Sequence, residues 1–147
     1  MSDQGRSCTA CAVVAGELRP VGGIVWRGAG FTVHAPAEAS PIAGWLVVTS
    51  DRHVRGLEDL GDDDLAALGP VAARVVRAQR AALGAGHVHA FSFGEAVRHF
   101  HLHLVPCLAD TPAHLRGTAC FAARPGDALP AWRIVAAVEA VRRALRA

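Results

Sequence analysis

Apolar residues recur along the chain at two spacings, which separate predicted strands from predicted helices. Short apolar or alternating runs, the pattern of strands, cover residues 21–26, 31–34, 45–49, 87–93 and 99–106. The three-to-four-residue spacing of an amphipathic helix covers residues 62–83 and recurs near the C-terminus, while residues 109–130 are predicted to be loop. We therefore predict an α+β fold with about five antiparallel strands in one sheet, on which one long helix and a C-terminal helix pack.

The run from residue 99 to 106 is the most unusual of these segments. It reads His-Phe-His-Leu-His-Leu-Val-Pro, and side chains on a strand alternate between its two faces. His99, His101 and His103 are therefore expected on one face, about 7 Å apart, with apolar side chains on the other. From the residues alone, three interpretations stay open: a polar strand face, a metal site, and phosphate chemistry in which a neutral imidazole attacks phosphorus.

Composition narrows the class of protein without selecting a function. The 147 residues and 52% hydrophobic content suit one domain, residues 1–147, with a real core. Fifteen basic residues, all arginine, against thirteen acidic ones give a net charge of +2 without a basic stripe, which argues against binding to polymeric nucleic acid. The absence of lysine excludes a G-x-x-x-x-G-K phosphate-binding loop and a Schiff-base lysine.

The lengths of the apolar stretches predict the cellular compartment, which in turn bears on the state of the cysteines. No segment approaches the roughly 20 apolar residues of a membrane span, and the polar residues 1–6 are not followed by a long apolar run, so we expect no signal peptide and a cytoplasmic protein. Thiols stay reduced there, so Cys8 and Cys11 are interpreted as half of a tetrahedral metal site, with two small buried residues as the alternative. His53, just beyond a predicted strand, is either functional or a surface histidine.

Four short motifs, spread over most of the chain, are informative in combination. The His-x-His-x-His run follows a Gly-x-x-Val-x-His turn that begins at Gly94. A Leu-Val-Val strand precedes Arg52 and His53, Glu38 lies just before a Ser-Pro, and a Cys-x-x-Cys pair lies near the N-terminus. In this combination the sequence resembles the histidine-triad (HIT) superfamily of nucleotide hydrolases and nucleotidyltransferases, and in particular its zinc-binding bacterial branch.

The resemblance implies a role for each candidate residue. His101, the middle histidine, would attack the α-phosphate of a nucleoside phosphoramidate or dinucleoside polyphosphate, and His103 would hydrogen-bond the phosphate oxygens. Glu38 would accept hydrogen bonds from the ribose hydroxyls. A closed structural Zn²⁺ site would form from four ligands, Cys8, Cys11, His53 and His99. The family also implies a homodimer and a nucleotide as the small-molecule partner.

The sequence departs from the family pattern near the expected phosphate site. Trp45 replaces a histidine that helps to orient the nucleophile, and Glu95 and Ala96 replace a Gln and a Ser or Thr that donate hydrogen bonds to the phosphate and leaving group. Glu95 and Arg98 stay candidate substrate-binding residues. Glu95 would repel phosphate unless it pairs with Arg98 or is protonated. The alternative for Arg98 is a solvated charge at the start of the strand. Two other functions therefore stay open: nucleotide binding without efficient turnover, and metal-dependent hydrolysis with His101 and His103 as ligands.

Overall fold

A five-stranded antiparallel sheet forms the centre of the computed structural model, which describes residues 8–147. Its strands are β1 (Ile24–Gly28), β2 (Phe31–His34), β3 (Leu46–Ser50), β4 (His87–Phe91) and β5 (His101–Cys107). They lie in the order β1-β2-β3-β5-β4, and every neighbouring pair is antiparallel. The predicted α+β fold and its sheet are confirmed, whereas the polar residues 1–6 that bear on a signal peptide lie outside the described residues.

Two helices cover one face of the sheet and a short third helix lies near the N-terminus. These are α1 (Thr9–Val14), α2 (Asp62–Leu83) and α3 (Ala131–Arg146). Helix α2 ends at Gly84, whose positive φ of 67° suits glycine, and the Gly84 N–H donates to the Arg80 carbonyl. Apolar residues of β2, β3 and β5 pack with α2 and α3 into the main core. None of the helices in residues 8–147 has the length and apolar character needed to cross a membrane.

The other face of the sheet carries a smaller core built by the segment predicted to be loop. Short 3-10 helices at Ala113–Leu115, Gly117–Ala122 and Pro125–Asp127 occupy this segment. Cys120 packs there with Trp45, Val47 and Val105. Residues 109–130 therefore cover the sheet face that bears His101 and His103.

Strand β5 begins two residues later than predicted, and this changes the position of His99. The Phe100 N–H donates to the Val54 carbonyl at 2.7 Å, and the Ser50 N–H donates to the Phe100 carbonyl at 3.2 Å. The backbone before β5 is thus bonded to the last residue of β3 and to the turn that follows it. The expectation that His99 lies on the strand beside the other two histidines is therefore wrong, because its side chain turns into the protein and is 0% exposed.

Candidate functional site

The four predicted metal ligands form one group beside the end of β3. Cys8, Cys11, His53 and His99 each offer one ligand atom, and these atoms lie within 4.8 Å of one another. Cys8 caps the N-terminus of α1, where its Sγ accepts a hydrogen bond from the Cys11 N–H, so one turn of helix brings both sulfurs together. The grouping expected from the sequence is confirmed.

Three sulfur-to-nitrogen distances within this group fit a tetrahedral zinc site. The Cys11 Sγ lies 3.2 Å from the His53 Nδ1, and the His99 Nδ1 lies 3.4 Å from both sulfurs. Bond lengths of about 2.3 Å to sulfur and about 2.0 Å to nitrogen, at tetrahedral angles, place such ligands roughly 3.5 Å apart. Four protein ligands leave no open coordination position, so the group suits a structural metal ion.

His99 is held in the orientation that such a ligand needs. Its Nε2 donates to the Ser50 carbonyl at 2.7 Å, which leaves the lone pair of Nδ1 directed at the sulfurs. Burial, followed by the neighbouring Cys8 thiol, raises the pKa of Cys11 to about 11. Metal binding must therefore displace the proton of the Cys11 thiol.

His101 lies at the start of β5 with one ring nitrogen fixed and the other available. Its Nδ1 lies 2.6 Å from the His99 carbonyl oxygen, and because a carbonyl only accepts, this nitrogen carries the proton. In the neutral ring the Nε2 therefore holds the lone pair. A half-buried imidazole in this tautomer can act as a nucleophile or as a general base.

His103 lies two residues further along β5, in a cluster with two aromatic side chains that also contact each other. The Trp45 Nε1–H donates to the His103 Nδ1 at 3.1 Å, and the Phe121 ring packs edge-on at 5.1 Å between centroids. Burial, helped by the neighbouring His101, lowers the pKa of His103 to about 4. His103 is therefore neutral at pH 7.

His34 belongs to the same face of the sheet, although nothing in the sequence pattern marks it as special. It is 4% exposed, its Nδ1 donates to the Ala35 carbonyl at 2.7 Å, and its Nε2 accepts from the Thr49 hydroxyl at 2.8 Å. Thr49 in turn pairs with His101 across β3 and β5. Burial lowers the pKa of His34 to about 4.

Because His34 is buried in its neutral form, we predict that acid destabilises the protein and that His34 contributes to this effect. Between pH 6.5 and 4 the unfolded chain binds a proton that the folded chain does not, so the free energy of unfolding falls as the pH falls. The largest slope is about 1.4 kcal/mol per pH unit for each such histidine. Urea unfolding at pH 7 and pH 5 measures this loss.

The matched variant is His34→Gln, which keeps a hydrogen-bonding side chain that does not titrate. We expect the loss of stability from pH 7 to pH 5 to be smaller in His34→Gln than in the wild type. An equal loss in the two proteins would contradict the assignment of a buried neutral His34.

A cavity of about 530 Å³ opens beside His103. It is lined by Glu38 and the loop around it, by Trp45 and His103, and by Phe121 and Arg124 of the segment before α3. The cavity therefore combines aromatic surface with one carboxylate and one guanidinium. Its volume is in the range of cavities that bind small molecules.

Three solved structures match this architecture over nearly the whole chain. A zinc-bound histidine triad family protein from Mycobacterium smegmatis has a TM-score of 0.72 and 22% sequence identity, over 95% of this chain and 94% of that one. A hypothetical histidine triad nucleotide-binding protein from Sulfolobus tokodaii has a TM-score of 0.75 and 19% identity, over 95% and 92%. A Hit-like protein from Bartonella henselae has a TM-score of 0.70 and 17% identity, over 90% and 92%. The chain has the histidine-triad fold. By sequence, no family model and no curated protein matches it.

Within the histidine-triad fold, two of the candidate substrate-binding residues lie away from the cavity beside His103. Glu95 and Arg98 line a separate groove of about 640 Å³, together with Arg55 and Glu58. Glu95 and Arg98 are both exposed. The structure thus brings Glu38 to His103 but places the other two candidates at a different surface.

Three residues of the site, and the contact that a fourth residue makes there, are not predictable from the sequence. His34, Phe121 and Arg124 belong to no motif, and the family pattern marks Trp45 only as the loss of a histidine. The Trp45 indole instead hydrogen-bonds His103, while the His99 carbonyl orients His101. The one available signal was the Phe-Ala-Ala-Arg stretch, in which an aromatic and a basic residue lie close together in a predicted loop.

Proposed function

We propose that this protein transfers a nucleotidyl group to water through a covalent intermediate on His101. The substrate we propose is a nucleoside phosphoramidate or a dinucleoside polyphosphate. The observation that carries the proposal is the 2.6 Å hydrogen bond from the His101 Nδ1 to the His99 carbonyl, since it leaves the Nε2 lone pair free to attack phosphorus. The histidine-triad fold supports the same chemistry.

The proposed reaction consists of two displacements at one phosphorus atom. In the first, the His101 Nε2 bonds to the α-phosphorus as the bond to the leaving amine or phosphate breaks, and the leaving group takes up a proton. In the second, water attacks the same phosphorus, the bond to Nε2 breaks, and water loses a proton. The neutral His101 is regenerated, and His103 donates a hydrogen bond to a non-bridging oxygen in both steps.

The nucleoside is proposed to occupy the cavity beside His103. Phe121 and Trp45 supply aromatic surface for the base, and Glu38, which also lines the cavity, can accept hydrogen bonds from ribose hydroxyls. Arg124 adds one positive charge to the wall, which favours a substrate with further phosphate groups. This arrangement leaves Glu95 and Arg98 outside the proposed binding mode.

Zinc is the metal that we propose for the Cys8, Cys11, His53 and His99 group. When bound, it would supply a cross-link between the N-terminal segment, the turn after β3 and the entry to β5. His99 connects this group to the proposed chemistry, because its side chain belongs to the metal group and its carbonyl oxygen holds the His101 Nδ1. The metal group therefore positions the nucleophile without contacting the substrate.

Two alternative functions compete with this proposal. Binding without turnover is favoured by Ala96, which has no donor, and by Glu95, which lines a separate groove, because neither residue offers a donor for the leaving group in the cavity. Metal-dependent hydrolysis needs His101 and His103 as ligands. Across residues 8–147, the only grouped metal-binding side chains are Cys8, Cys11, His53 and His99, so neither of these two histidines belongs to such a group.

The stereochemistry at phosphorus distinguishes the three functions. A nucleoside phosphoramidate with a chiral, isotopically labelled thiophosphoryl group is hydrolysed, and the configuration of the product is read by phosphorus NMR. Two displacements predict overall retention. Inversion would contradict a His101 intermediate and favour direct attack by water, and failure to hydrolyse any member of a purine and pyrimidine panel would favour binding alone.

We also propose that the protein forms a homodimer, as the family resemblance implies. Strand β4 lies at one edge of the sheet, and Phe93, just beyond it, is 51% exposed. Light scattering coupled to size-exclusion chromatography would give twice the chain mass if this is correct, and the mass of one chain would contradict it.

A further inference from the structure

Trp45 and His103 form a hydrogen bond that joins two segments 58 residues apart. The indole Nε1 lies 3.1 Å from the His103 Nδ1, with the two rings nearly perpendicular at 77°. Trp45 is only 7% exposed and packs with Ile42, Val47 and Val105, so the indole has little freedom to turn away. The bond is therefore a fixed feature of the cavity beside His103.

The chemistry of the two rings decides the direction of this bond. An indole N–H can only donate, so the His103 Nδ1 must be the acceptor and cannot carry a proton. A neutral imidazole then has its proton on Nε2. His101 is held in the opposite way, because its Nδ1 faces the His99 carbonyl and must carry the proton.

We propose that Trp45 is a positioning residue that holds His103 as a neutral imidazole with its proton on Nε2. Two neighbouring histidines on one strand are thereby divided into two chemical roles. His101 presents a lone pair, and His103 presents an N–H donor. Trp45, which replaces the histidine of the family pattern, is thus the residue that makes His103 an N–H donor.

Burial supports the same assignment, because it lowers the pKa of His103 and so favours the neutral ring. A doubly protonated His103 would have no acceptor for the indole and would place two N–H donors against each other. Phe121, which contacts both rings, offers only an aromatic edge or face and no competing acceptor. The indole is therefore the group that selects the tautomer.

The use of the His103 Nε2–H toward a phosphoryl oxygen rests on the function proposed above, whereas the tautomer itself does not. The test is therefore made on the ligand-free protein by NMR at pH 7. The nitrogen-15 shifts of the imidazole give the protonation of each ring nitrogen. A scalar coupling across the hydrogen bond between the Trp45 Nε1 and the His103 Nδ1 reports the contact directly, without any substitution.

In the wild type we expect an unprotonated Nδ1 and a protonated Nε2 for His103, together with the coupling to Trp45. Trp45→Phe keeps an aromatic ring but removes the donor, so His103 should become a mixture of tautomers. Trp132→Phe is the matched control, because Trp132 is 71% exposed and lies on α3; it should leave the His103 shifts unchanged.

A protonated His103 Nδ1 in the wild type, the absence of the coupling, or an unchanged tautomer in Trp45→Phe would each overturn the proposal. The coupling in the wild type decides the question even if Trp45→Phe does not fold. If the wild type turns over nucleotides, we further expect Trp45→Phe to lower kcat about tenfold with a smaller change in KM, since an N–H donor would be lost from part of the population. Absence of turnover in the wild type would count against the proposed function and leave the NMR test intact.

Discussion

Replacing His101 by glutamine should lower the rate of nucleotide hydrolysis by at least about a thousandfold. Glutamine keeps a polar side chain that can donate to the His99 carbonyl, but it has no nitrogen lone pair that can attack phosphorus. The loss should fall on the first chemical step. Single-turnover measurements with excess enzyme follow this step without interference from product release.

The matched control for this experiment is His87→Gln. His87 is an exposed histidine on the neighbouring strand β4, outside the proposed machinery, so its substitution should leave the rate within about twofold of the wild type. Thermal unfolding of both variants checks that the fold is retained. A folded His101→Gln protein with near wild-type rates would show that His101 is not the nucleophile.

Replacing Cys8 by alanine should remove the zinc ion and a large part of the stability of the protein. We expect one zinc ion per chain in the wild type and less than one tenth of that in the variant, measured by elemental analysis. Loss of one ligand opens a tetrahedral site whose binding free energy is also folding free energy, so several kcal/mol of stability should be lost. For a chain of this size, the melting temperature should fall by at least about 10 °C.

Cys107→Ala is the matched control for the zinc prediction. Cys107 is a free, half-buried cysteine in β5 and does not belong to the metal group. Its substitution should keep the zinc content at one ion per chain. Stoichiometric zinc in Cys8→Ala, or a wild type without zinc whose stability resists chelators, would contradict the proposed metal site.

The parts of the fold that local pattern determines were predictable from the sequence. Helix α2 has the predicted bounds, because three aspartates mark its start and Gly84 its end. The position of His99 was not predictable, because strand periodicity applies only while the chain stays in the strand. The Phe100 N–H donates to the Val54 carbonyl, 46 residues away in sequence, so the regular strand begins only at His101.

In the candidate site, features that depend on short motifs could be predicted, and features that depend on contacts between distant segments could not. The metal group could be predicted because each ligand belongs to a short motif and the family resemblance joins these motifs into one site. The role of Trp45 could not, since its partner His103 lies on another strand and the direction of the indole depends on packing around Val47 and Val105. Phe121 lies in the second of three short 3-10 helices, and such helices leave no periodic pattern in the sequence.

The central claim is a covalent nucleotidyl group on His101, and trapping that group tests it most directly. The wild type is mixed with a nucleoside phosphoramidate, denatured within the first turnover under alkaline conditions that preserve a phosphorus–nitrogen bond, digested, and analysed by mass spectrometry. We predict a peptide that carries one nucleoside monophosphate on His101, and no such peptide from His101→Gln. A modified residue other than His101, or rapid hydrolysis without any modified peptide, would contradict the account.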